Sequence, residues 1–591
     1  MKINYKRDNY LSEFSLKTLE DRYFMEGEIS PQDAFARAAK AFSDDDEHAQ
    51  RLYDYASKLW FMFSTPILSN GGTTRGLPIS CFLNYVEDSR EGITSHYTEN
   101  AFLSSVGGGV GGCWSSVRSV GSKTSNGSES TGVIPFLKVV DAEMLAFSQG
   151  VTRRGSYAAY LDISHPEVEE FLDVRKPTGG DVNRKSTNLH HGIVITDDFM
   201  QLIEKATRIA GFDDSWDLID PHSGMVKKTV SAKALWVKLI QNRVETGEPY
   251  IMFKDTIDEA IPAFQRELGL KVNQSNLCSE ITLPTNEERT AVCCLSSVNL
   301  EEYDEWKNND DFIPDLVRML DNVLEHFISS APKELQKAVY SAESERSIGL
   351  GAMGFHAYLQ RQGVPFESAL AKGRNLQMFS RIKEEATRAT RLLAEERGQC
   401  PDSKWYNGGV RNAHLLAIAP NASSSIICGN TSPSIEPYRA NAFTQKTKSG
   451  SSLLKNEYLE NILQDLDQDT EEVWKSIITN NGSVQHLDFL DDWTKDVFKT
   501  AVEIDQRWVI EMAADRQEYI CQSQSLNVFF PANVSKQELH AIHMMAWKRG
   551  VKTLYYLRSE ALKRAETISD EVLRERIFES MEEEACLACE G

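Results

Sequence analysis

Long hydrophobic runs are missing from this sequence, and so is an excess of positive charge. The longest uncharged apolar stretches, such as residues 59–63, are far shorter than the roughly 20 residues of a membrane-spanning helix. Residues 1–8 have no apolar run behind them, so no signal peptide is predicted. Lys and Arg total 64 against 87 Asp and Glu, a net charge of −23, which argues against general binding of DNA or RNA. The composition therefore predicts a cytoplasmic protein with no nucleic-acid or membrane partner, and leaves room for small anions in local pockets.

Cysteine is also sparse, with 10 residues in a chain of 591. In a reducing compartment a structural disulfide framework is not expected, so a thiol in a special context becomes a candidate for chemistry. Cys586 and Cys589 form the only Cys-x-x-Cys pair, close to the C-terminus and just after three glutamates. A zinc site would need further ligands, so we predict no metal site in this chain and interpret the pair as a swinging redox dithiol.

The spacing and length of the apolar segments divide the chain into three regions. Apolar residues at helical spacing, with a Ser30-Pro31 helix start, predict a helical region over residues 1–63. From residue 64 short apolar runs alternate with longer amphipathic segments, which predicts a mainly parallel α/β domain over residues 64–575. Residues 576–591 are acidic and poor in core signals, which predicts a flexible tail.

The segment from Asn276 to Ile281, with the sequence NLCSEI, is the most informative. In an extended strand side chains alternate, so Asn276, Cys278 and Glu280 would share one face. An amide, a thiol and a carboxylate would then point into one space. The alternative is a buried free cysteine beside two surface polar residues. For this segment taken alone that alternative is favoured, although aligned polar groups are costly inside a core unless something uses them.

Three further thiols and two tyrosines stand in similar contexts. Cys81 lies in an apolar run that predicts a strand, and Cys293 and Cys294 lie together in another. Adjacent strand residues face opposite ways, so only one of this pair can join the Cys278 site. Tyr555 and Tyr556 are adjacent near a predicted strand end. Taken one at a time, each of these residues is better explained by core packing.

Three other segments are rich in glycine or serine. Residues 107–112 and 349–354 both read G-x-G-x-x-G, but neither has the flanking strand, helix and acidic residue of a dinucleotide site. Tight packing, or close approach of backbone to a ligand, explains them better. Residues 420–426 follow an apolar run and resemble a loop that starts a helix, where backbone amides and hydroxyls could hold a phosphate or simply cap the helix.

Together these residues resemble the large subunit of class I ribonucleotide reductase, from about residue 11 to the C-terminus. The most specific parts are Asn-Leu-Cys-x-Glu, Tyr-Tyr before Leu-Arg-Ser, Ser-Cys-Phe-Leu and the terminal cysteine pair. The resemblance implies a ten-stranded α/β barrel with a central finger loop that carries a radical cysteine. It also implies a mostly helical N-terminal region and a homodimeric catalytic subunit.

The same resemblance implies a role for each reactive residue. Cys278 would carry a thiyl radical that removes the 3′-hydrogen of a ribonucleotide, Glu280 would deprotonate the 3′-hydroxyl and Asn276 would orient the sugar. Cys81 and Cys293 would supply two electrons by closing to a disulfide, although Cys294 is next to that position and the choice between the neighbours stays open. Cys586 and Cys589 would form a tail dithiol that thioredoxin or glutaredoxin reduces. Tyr555 and Tyr556 would relay the radical from a metal-containing small subunit to Cys278.

Nucleotide sites are implied in the same way. The resemblance implies that substrate phosphate and sugar contact Thr65, Ser80, Gly109, Ser423 and Ser424. Many family members have a glutamate where Ala422 stands here, so a diphosphate is expected but a triphosphate stays open. A nucleoside triphosphate with Mg²⁺ would bind a specificity site and bias the choice of base. That site is assigned to Asp88, Ser89, Arg118, Gln149 and Arg153.

One further expectation and two alternative functions complete the interpretation. The core-like pattern begins by residue 16, which leaves no room for an N-terminal ATP-binding cone, so specificity control without dATP shut-off is expected, in a compact form that would suit a virus. A class II reductase using adenosylcobalamin would need no tyrosine relay. A nucleotide-binding regulator without catalysis would bind nucleotide equally well after Cys278→Ser.

Overall fold

The computed structural model describes residues 1–147, 155–177, 179–447 and 450–559. Five short 3₁₀ helices lie in these ranges, at Tyr5–Tyr10, Val182–Arg184, Leu300–Glu302, Lys333–Leu335 and Pro401–Ser403. The α-helices are α1 Glu13–Tyr23, α2 Pro31–Ala41, α3 Asp46–Ser57, α4 Thr65–Asn70, α5 Arg90–Ser105, α6 Ile134–Ala146, α7 Val168–Phe171, α8 Asp197–Arg208, α9 Ala232–Thr246, α10 Lys254–Ala260, α11 Ala263–Glu267, α12 Tyr303–Trp306, α13 Phe312–Ser330, α14 Gln336–Glu345, α15 Phe355–Arg361, α16 Ala369–Arg397, α17 Ala422–Ile427, α18 Glu457–Asp465, α19 Glu471–Thr479, α20 Asp492–Val497, α21 Gln506–Gln517 and α22 Lys536–Lys548.

The strands of the described residues alternate with these helices along the chain. They are β1 Phe61–Phe63, β2 Cys81–Tyr85, β3 Gly109–Cys113, β4 Ser156–Asp162, β5 His190–Ile195, β6 Ser215–Ile219, β7 Val226–Ser231, β8 Tyr250–Phe253, β9 Ala291–Asn299, β10 Ile348–Met353, β11 Ala442–Thr447, β12 Gly450–Lys455, β13 Val528–Phe530, β14 Thr553–Leu554 and β15 Leu557–Ser559.

Five parallel strands form the first half of the main sheet. They run in the order β2, β3, β4, β5 and β8, with helices on the connections, as the alternating sequence pattern predicts. Cys81 lies opposite Gly109 in the β2–β3 pair, and Gly192 lies opposite Tyr250 in the β5–β8 pair. Short βα connections of this kind place side chains from neighbouring strand ends next to each other.

The second half of the sheet runs against the first and closes it. β9 is antiparallel to β2 and parallel to β10. Backbone hydrogen bonds join β10 to residues 415–419 through Leu350 N to Leu415 O at 2.8 Å. Residues 415–419 are joined to residues 522–526 through Ile418 N to Ser523 O at 3.0 Å. Residues 522–526 are joined to the chain beside β14 through Tyr555 N to Leu526 O at 2.9 Å. β14 pairs with β8. Eight strands and two extended segments thus make ten members in a closed ring, which confirms the predicted barrel.

The N-terminal region is helical, as its sequence pattern predicts. Ser30 caps α2, its side chain accepting a bond from the backbone of Gln32 while Asp33 completes a capping box, and Pro31 stands at the first turn. Helices α1 to α3 bury Leu19, Phe35 and Leu52 in the same core as the barrel helices. This region therefore packs onto the barrel and ends in β1, which pairs with β9.

Both glycine-rich patterns lie in barrel strands, and both serve close packing. A Cβ on Gly111 in β3 would lie 1.9 Å from the carbonyl oxygen of Ser275. A Cβ on Gly349 in β10 would lie 2.9 Å from Sγ of Cys293. The glycines let the sheet approach the segment around Cys278 and the thiol of Cys293 more closely than any side chain would allow.

Candidate active site

A loop between α11 and β9 occupies the interior of the barrel, and we call residues 273–285 the finger loop. Its carbonyl groups accept hydrogen bonds from opposite sides of the ring. Oη of Tyr160 in β4 donates to Asn276 O at 2.7 Å, and Oγ of Ser525 donates to Cys278 O at 2.6 Å. Oγ1 of Thr553 in β14 donates to Ser279 O at 2.7 Å. These bonds satisfy backbone groups that would otherwise be costly to bury, and they fix the loop in place.

The expectation of an extended strand over residues 276–281 is wrong. The segment turns, with Ser279 at a φ of 64° and its N–H bonded to Asn276 O at 3.4 Å. Oδ1 of Asn276 accepts from the backbone N–H groups of Glu280 and Ile281 at 3.1 and 3.2 Å. The asparagine side chain thus replaces the strand partner that the sequence pattern presupposes.

Asn276, Cys278 and Glu280 are nevertheless all buried at the tip of this loop, none more than 1% exposed. Ser525 links two of them, since its Oγ lies 3.1 Å from Oε2 of Glu280 as well as 2.6 Å from Cys278 O. Nδ2 of Asn276 is buried without a hydrogen-bond partner in the part of the chain that the structure describes. A buried donor of this kind is costly unless a ligand satisfies it.

Cys278 packs into a group of aromatic and aliphatic side chains that we call the tyrosine cluster. Its members are Ala158, Tyr160, Val194, Tyr250, Met252, Ile257, Ile261, Val272, Leu277, Cys278, Tyr555 and Tyr556. The rings of Tyr555 and Tyr556 have centroids 4.3 Å apart, and Tyr250 lies 4.8 and 5.1 Å from them. The two predicted relay tyrosines therefore lie in one continuous aromatic group with the predicted radical cysteine.

A second group, the dithiol cluster, lies on the other side of the finger loop. It comprises Cys81, Leu83, Ile281, Leu283, Ala291, Cys293, Leu295, Ala417 and Ala419. Cys81 in β2 and Cys293 in β9 are directly opposite in the antiparallel pair, so their side chains emerge on the same face.

The two adjacent cysteines of β9 face different environments. Cys294 points into the large core, where its Sγ lies 3.3 Å from Leu320 O of α13. Burial, together with Cys294, Cys81 and Glu280, raises the pKa of Cys293 well above its ordinary value. The geometry thus brings Cys293, and not Cys294, together with Cys81, and it places this pair close to Glu280.

The residues predicted to hold the substrate lie around the same end of the barrel. Gly109 N donates to Ser80 O at 2.6 Å, directly beside Cys81. Oγ1 of Thr65 at the start of α4 lies 2.9 Å from Oη of Tyr23 in α1. The same helix α1 contacts α17, which carries the buried hydroxyls of Ser423 and Ser424. Helix α1 therefore bridges the two hydroxyl-bearing helix starts.

Comparison with known proteins identifies this arrangement. Residues 10–76 match the family described as ribonucleotide reductase, all-alpha domain, and residues 79–408 and 402–557 match ribonucleotide reductase, barrel domain. This chain belongs to the ribonucleotide reductase large-subunit family.

Individual relatives agree with that assignment. A Frog virus 3 protein named as a ribonucleoside-diphosphate reductase large subunit is 50% identical over 92% of this chain and 93% of its own. The ribonucleoside-diphosphate reductase large subunit of Invertebrate iridescent virus 3 is 44% identical over the full length of both. Among solved structures, the class Id ribonucleotide reductase alpha subunit of Actinobacillus ureae is 34% identical, with a TM-score of 0.81 over 95% of this chain and 98% of its own.

The predicted effector residues of this reductase chain lie apart from the barrel interior. Asp88 and Arg118 form an ion pair, with Nε to Oδ2 at 2.9 Å, and Nδ1 of His222 lies 3.2 Å from the same carboxylate oxygen. Ser89 caps α5 through its bond from Gly92 N at 2.8 Å. The remaining predicted residues, Gln149, Arg153, Cys586 and Cys589, lie outside the described residues.

Four polar residues that touch the reductase site have no counterpart among the sequence-based predictions. They are Tyr160, Ser525, His190 and Glu248. The first two hold the finger loop through the bonds given above, and Nδ1 of His190 lies 3.2 Å from Oη of Tyr556. A signal for His190 exists only as a histidine pair opening an apolar run, which is too common a pattern to single out.

None of the helices in the described residues combines the length and the apolar character needed to span a membrane.

Proposed function

We propose that this chain is the catalytic large subunit of a class I ribonucleotide reductase and reduces ribonucleoside diphosphates to 2′-deoxyribonucleotides by a thiyl-radical mechanism. The observation that carries the proposal is the position of Cys278, on a buried loop between a cluster of tyrosines and a pair of thiols. One side can deliver a radical and the other can deliver two electrons. The viral relatives named as ribonucleoside-diphosphate reductases support the diphosphate.

The first chemical step removes the 3′-hydrogen atom of the ribose. Cys278, as the thiyl radical, takes that hydrogen and becomes a thiol. Glu280 accepts the proton of the 3′-hydroxyl, which makes loss of the 2′-hydroxyl as water feasible. Nδ2 of Asn276 is the buried donor that faces no protein acceptor among the described residues, and it would bind a sugar oxygen. Oδ1 of the same side chain holds the turn, so one residue fixes both loop and substrate.

The second step is a two-electron reduction by Cys81 and Cys293. Closing the disulfide releases two electrons and two protons, which replace the lost hydroxyl by hydrogen at C2′ and supply the proton that leaves with it as water. Cys278 then returns its hydrogen atom to C3′ and is a thiyl radical again, while Glu280 returns its proton to the 3′-oxygen. Opposite residues of an antiparallel pair lie within about 4.5–5.5 Å at Cβ, so a small movement suffices for the bond. The raised pKa of Cys293 keeps its thiol protonated until this step.

Two processes connect this site to other proteins. A metal-containing small subunit would supply the radical, which Tyr556 and Tyr555 pass to Cys278. The disulfide would be reduced by exchange with Cys586 and Cys589 in the tail, which thioredoxin or glutaredoxin then restores. Both proposals follow family membership, and the aromatic contact between Tyr555 and Tyr556 supports the first.

Nucleotides and a second copy of the chain complete the assembly. We assign the substrate to the hydroxyl-bearing residues around α1, namely Thr65, Ser80, Gly109, Ser423 and Ser424. A triphosphate effector would bind near Asp88, Ser89 and Arg118, with Gln149 and Arg153. Helices α5 and α6 next to this site expose apolar side chains, Phe102, Val139, Leu145 and Phe147 at 37, 47, 54 and 43%. Exposed apolar residues on neighbouring helices support a homodimer through this face.

The test is reconstitution of the full chain with a small subunit from a related viral reductase, followed by assay of CDP reduction. Wild type is expected to form dCDP, and Cys278→Ser is expected to lose activity by on the order of 10³-fold or more while binding nucleotide normally. Activity of the chain with adenosylcobalamin and no second protein would contradict the class I proposal. Deoxynucleotide formation by Cys278→Ser at the wild-type rate would contradict the radical mechanism.

A further inference from the structure

Beside the tyrosine cluster lies a polar group that the reductase mechanism above does not use. His190 opens β5 and Glu248 stands just before β8, the neighbouring strand of the sheet. Nδ1 of His190 is 2.7 Å from Oε1 of Glu248, and Nη1 of Arg175 is 2.8 Å from that oxygen. Oη of Tyr556 lies 3.2 Å from the same His190 nitrogen. Three polar side chains therefore converge on one ring nitrogen next to a proposed relay tyrosine.

The contacts of this nitrogen determine which proton it carries. Arginine is only a donor, and Nη1 of Arg175 lies 2.9 Å from Nδ1 of His190, so Nδ1 acts as an acceptor with the ring proton on Nε2. Oε1 of Glu248 is also an acceptor, and it lies 2.7 Å away. Nη1 of Arg175 donates to both of these atoms, at 2.9 and 2.8 Å, which offsets the repulsion between the two acceptors while Nδ1 carries no proton. A proton that reaches Nδ1 would lie against the carboxylate of Glu248, which stabilises it.

The carboxylate is held ionised to play that part. Glu248 is only 1% exposed, and its second oxygen accepts from His191 N at 3.0 Å and faces His191 Nδ1 at 3.1 Å. Burial alone would raise the pKa of Glu248, but Arg175 and His190 hold it well below its ordinary value. His190 itself is stacked on Tyr250, with ring planes 15° apart, and keeps 13% of its side chain exposed.

Tyr556 has a particular need for a proton acceptor. Cζ of Arg558 lies 4.1 Å from the centroid of its ring. Removing an electron from the ring while the phenol keeps its proton would leave two positive charges in contact. Loss of the proton together with the electron avoids that repulsion.

We infer that His190 accepts the phenolic proton of Tyr556 each time the relay oxidises that tyrosine, with Arg175 holding the imidazole in the accepting tautomer and Glu248 stabilising the imidazolium that forms. The inference rests on the proposed function. A one-electron oxidant, the radical of the small subunit, removes one electron from Tyr556. Its proton moves to Nδ1 of His190, which leaves a neutral tyrosyl radical and an imidazolium paired with Glu248. On the return of the electron the imidazolium gives the proton back.

The test compares His190→Asn with wild type in the reconstituted holoenzyme. Asparagine keeps a polar atom near the Nδ1 position but cannot hold the transferred proton. We expect kcat for CDP reduction to fall about 10²-fold, the usual contribution of a proton acceptor, with KM changed by less than about twofold.

Two controls separate this role from a structural one. His540→Asn makes the same change at a half-buried histidine whose Nδ1 accepts from Trp236 Nε1 at 3.1 Å, outside the tyrosine cluster, and should leave kcat unchanged. Replacing Tyr556 by a fluorinated tyrosine that is ionised at the assay pH removes the proton from the step. That replacement should restore His190→Asn to the rate of the same fluorinated enzyme with His190 intact.

The outcomes distinguish the inference from the proposed function. A His190→Asn enzyme with the wild-type kcat overturns the inference, and so does a loss that fluorinated tyrosine fails to restore. Should His190→Asn not fold, as judged by nucleotide binding, His190→Gln takes its place under the same criteria. An inactive wild-type holoenzyme, or an active Cys278→Ser enzyme, counts against the proposed function.

Discussion

The finger loop separates two buried groups that share little but their burial. In the dithiol cluster the two thiols pack against aliphatic side chains, and Nε2 of Gln522 lies 3.7 Å from Sγ of Cys293. In the tyrosine cluster the rings contact each other, and at one end Tyr556 meets the charged group of His190, Glu248 and Arg175. Apolar surroundings keep thiols neutral and inert until they are needed, whereas tyrosine oxidation needs a place for a proton. The two sides thus match two different electron-transfer tasks.

Tyr555→Phe is the change expected to have the largest effect on this comparison. Phenylalanine keeps the ring packing against Tyr250 and Tyr556 but has no phenol to oxidise. CDP reduction by the reconstituted enzyme should fall on the order of 10³-fold or more, with effector binding unchanged. Cleavage of the 3′-carbon–hydrogen bond, followed with nucleotide carrying tritium at C3′, should vanish as well. Tritium release at the wild-type rate would mean that the radical reaches Cys278 by another route.

Cys293→Ser should stop the reaction at a later point than Tyr555→Phe. The radical can still reach Cys278, so tritium release from C3′ should persist while dCDP formation falls at least about 10²-fold. Cys294→Ser is the matched control, since the neighbouring thiol faces Leu320 in the core, and it should keep most of the activity at a stability cost of about 1 kcal/mol. A Cys294→Ser enzyme that loses turnover while Cys293→Ser keeps it would reverse our assignment.

Gly111→Ala tests whether the sheet positions the finger loop between the two clusters. The added Cβ would overlap Ser275 O at 1.9 Å and Asn276 Cα at 2.8 Å, so the loop must move. We expect a loss of about 1–3 kcal/mol in the free energy of unfolding and about tenfold to 10²-fold in kcat.

Gly373→Ala provides the control for that variant. Gly373 is an exposed residue of α16 with open space around it, and alanine there should add up to about 1 kcal/mol of stability without changing kcat. Equal behaviour of the two alanine variants in denaturation and in turnover would show that Gly111 does not control the loop.

Much of this arrangement follows from the sequence, and the exceptions share one physical cause. The apolar run around Cys81 predicts β2 correctly, because a short buried run needs only local information. The strand predicted over residues 276–281 is wrong. The side chain of Asn276 accepts hydrogen bonds from the backbone N–H groups of Glu280 and Ile281, and these bonds stabilise a turn in place of a strand. Opposite orientations for Cys293 and Cys294 follow from adjacency, but choosing between them requires the pairing of β9 with β2.

Long-range contacts are the part that a single sequence leaves out. His190 lies 58 residues from Glu248 and 366 from Tyr556, and only the barrel brings them together. Family resemblance supplied the roles of Cys278 and the tyrosines because these residues lie in recognisable motifs. It supplied nothing for His190, whose surroundings are built by three distant segments.

The smallest expected effect concerns the pH dependence of stability. Burial raises the pKa of the thiols of Cys113, Cys293, Cys294, Cys400 and Cys428 above the ordinary value of 9.0. Above that value the unfolded chain loses these protons while the folded chain keeps them, so the unfolded state binds fewer protons and the free energy of unfolding falls as pH rises. Each thiol contributes a slope of at most about 1.4 kcal/mol per pH unit, present above its unfolded pKa and below its folded one.

Denaturant unfolding under reducing conditions, from about pH 8 to about pH 10, measures that slope. Cys294→Ser removes one of the buried thiols without touching the dithiol cluster, so its stability should fall less steeply with pH than that of wild type. Tyrosines and lysines titrate equally in both proteins and cancel in the difference. Parallel curves for the two proteins would mean that the core around Cys294 admits water or charge, and that the contrast between a sealed thiol side and a proton-exchanging tyrosine side is weaker than the packing indicates.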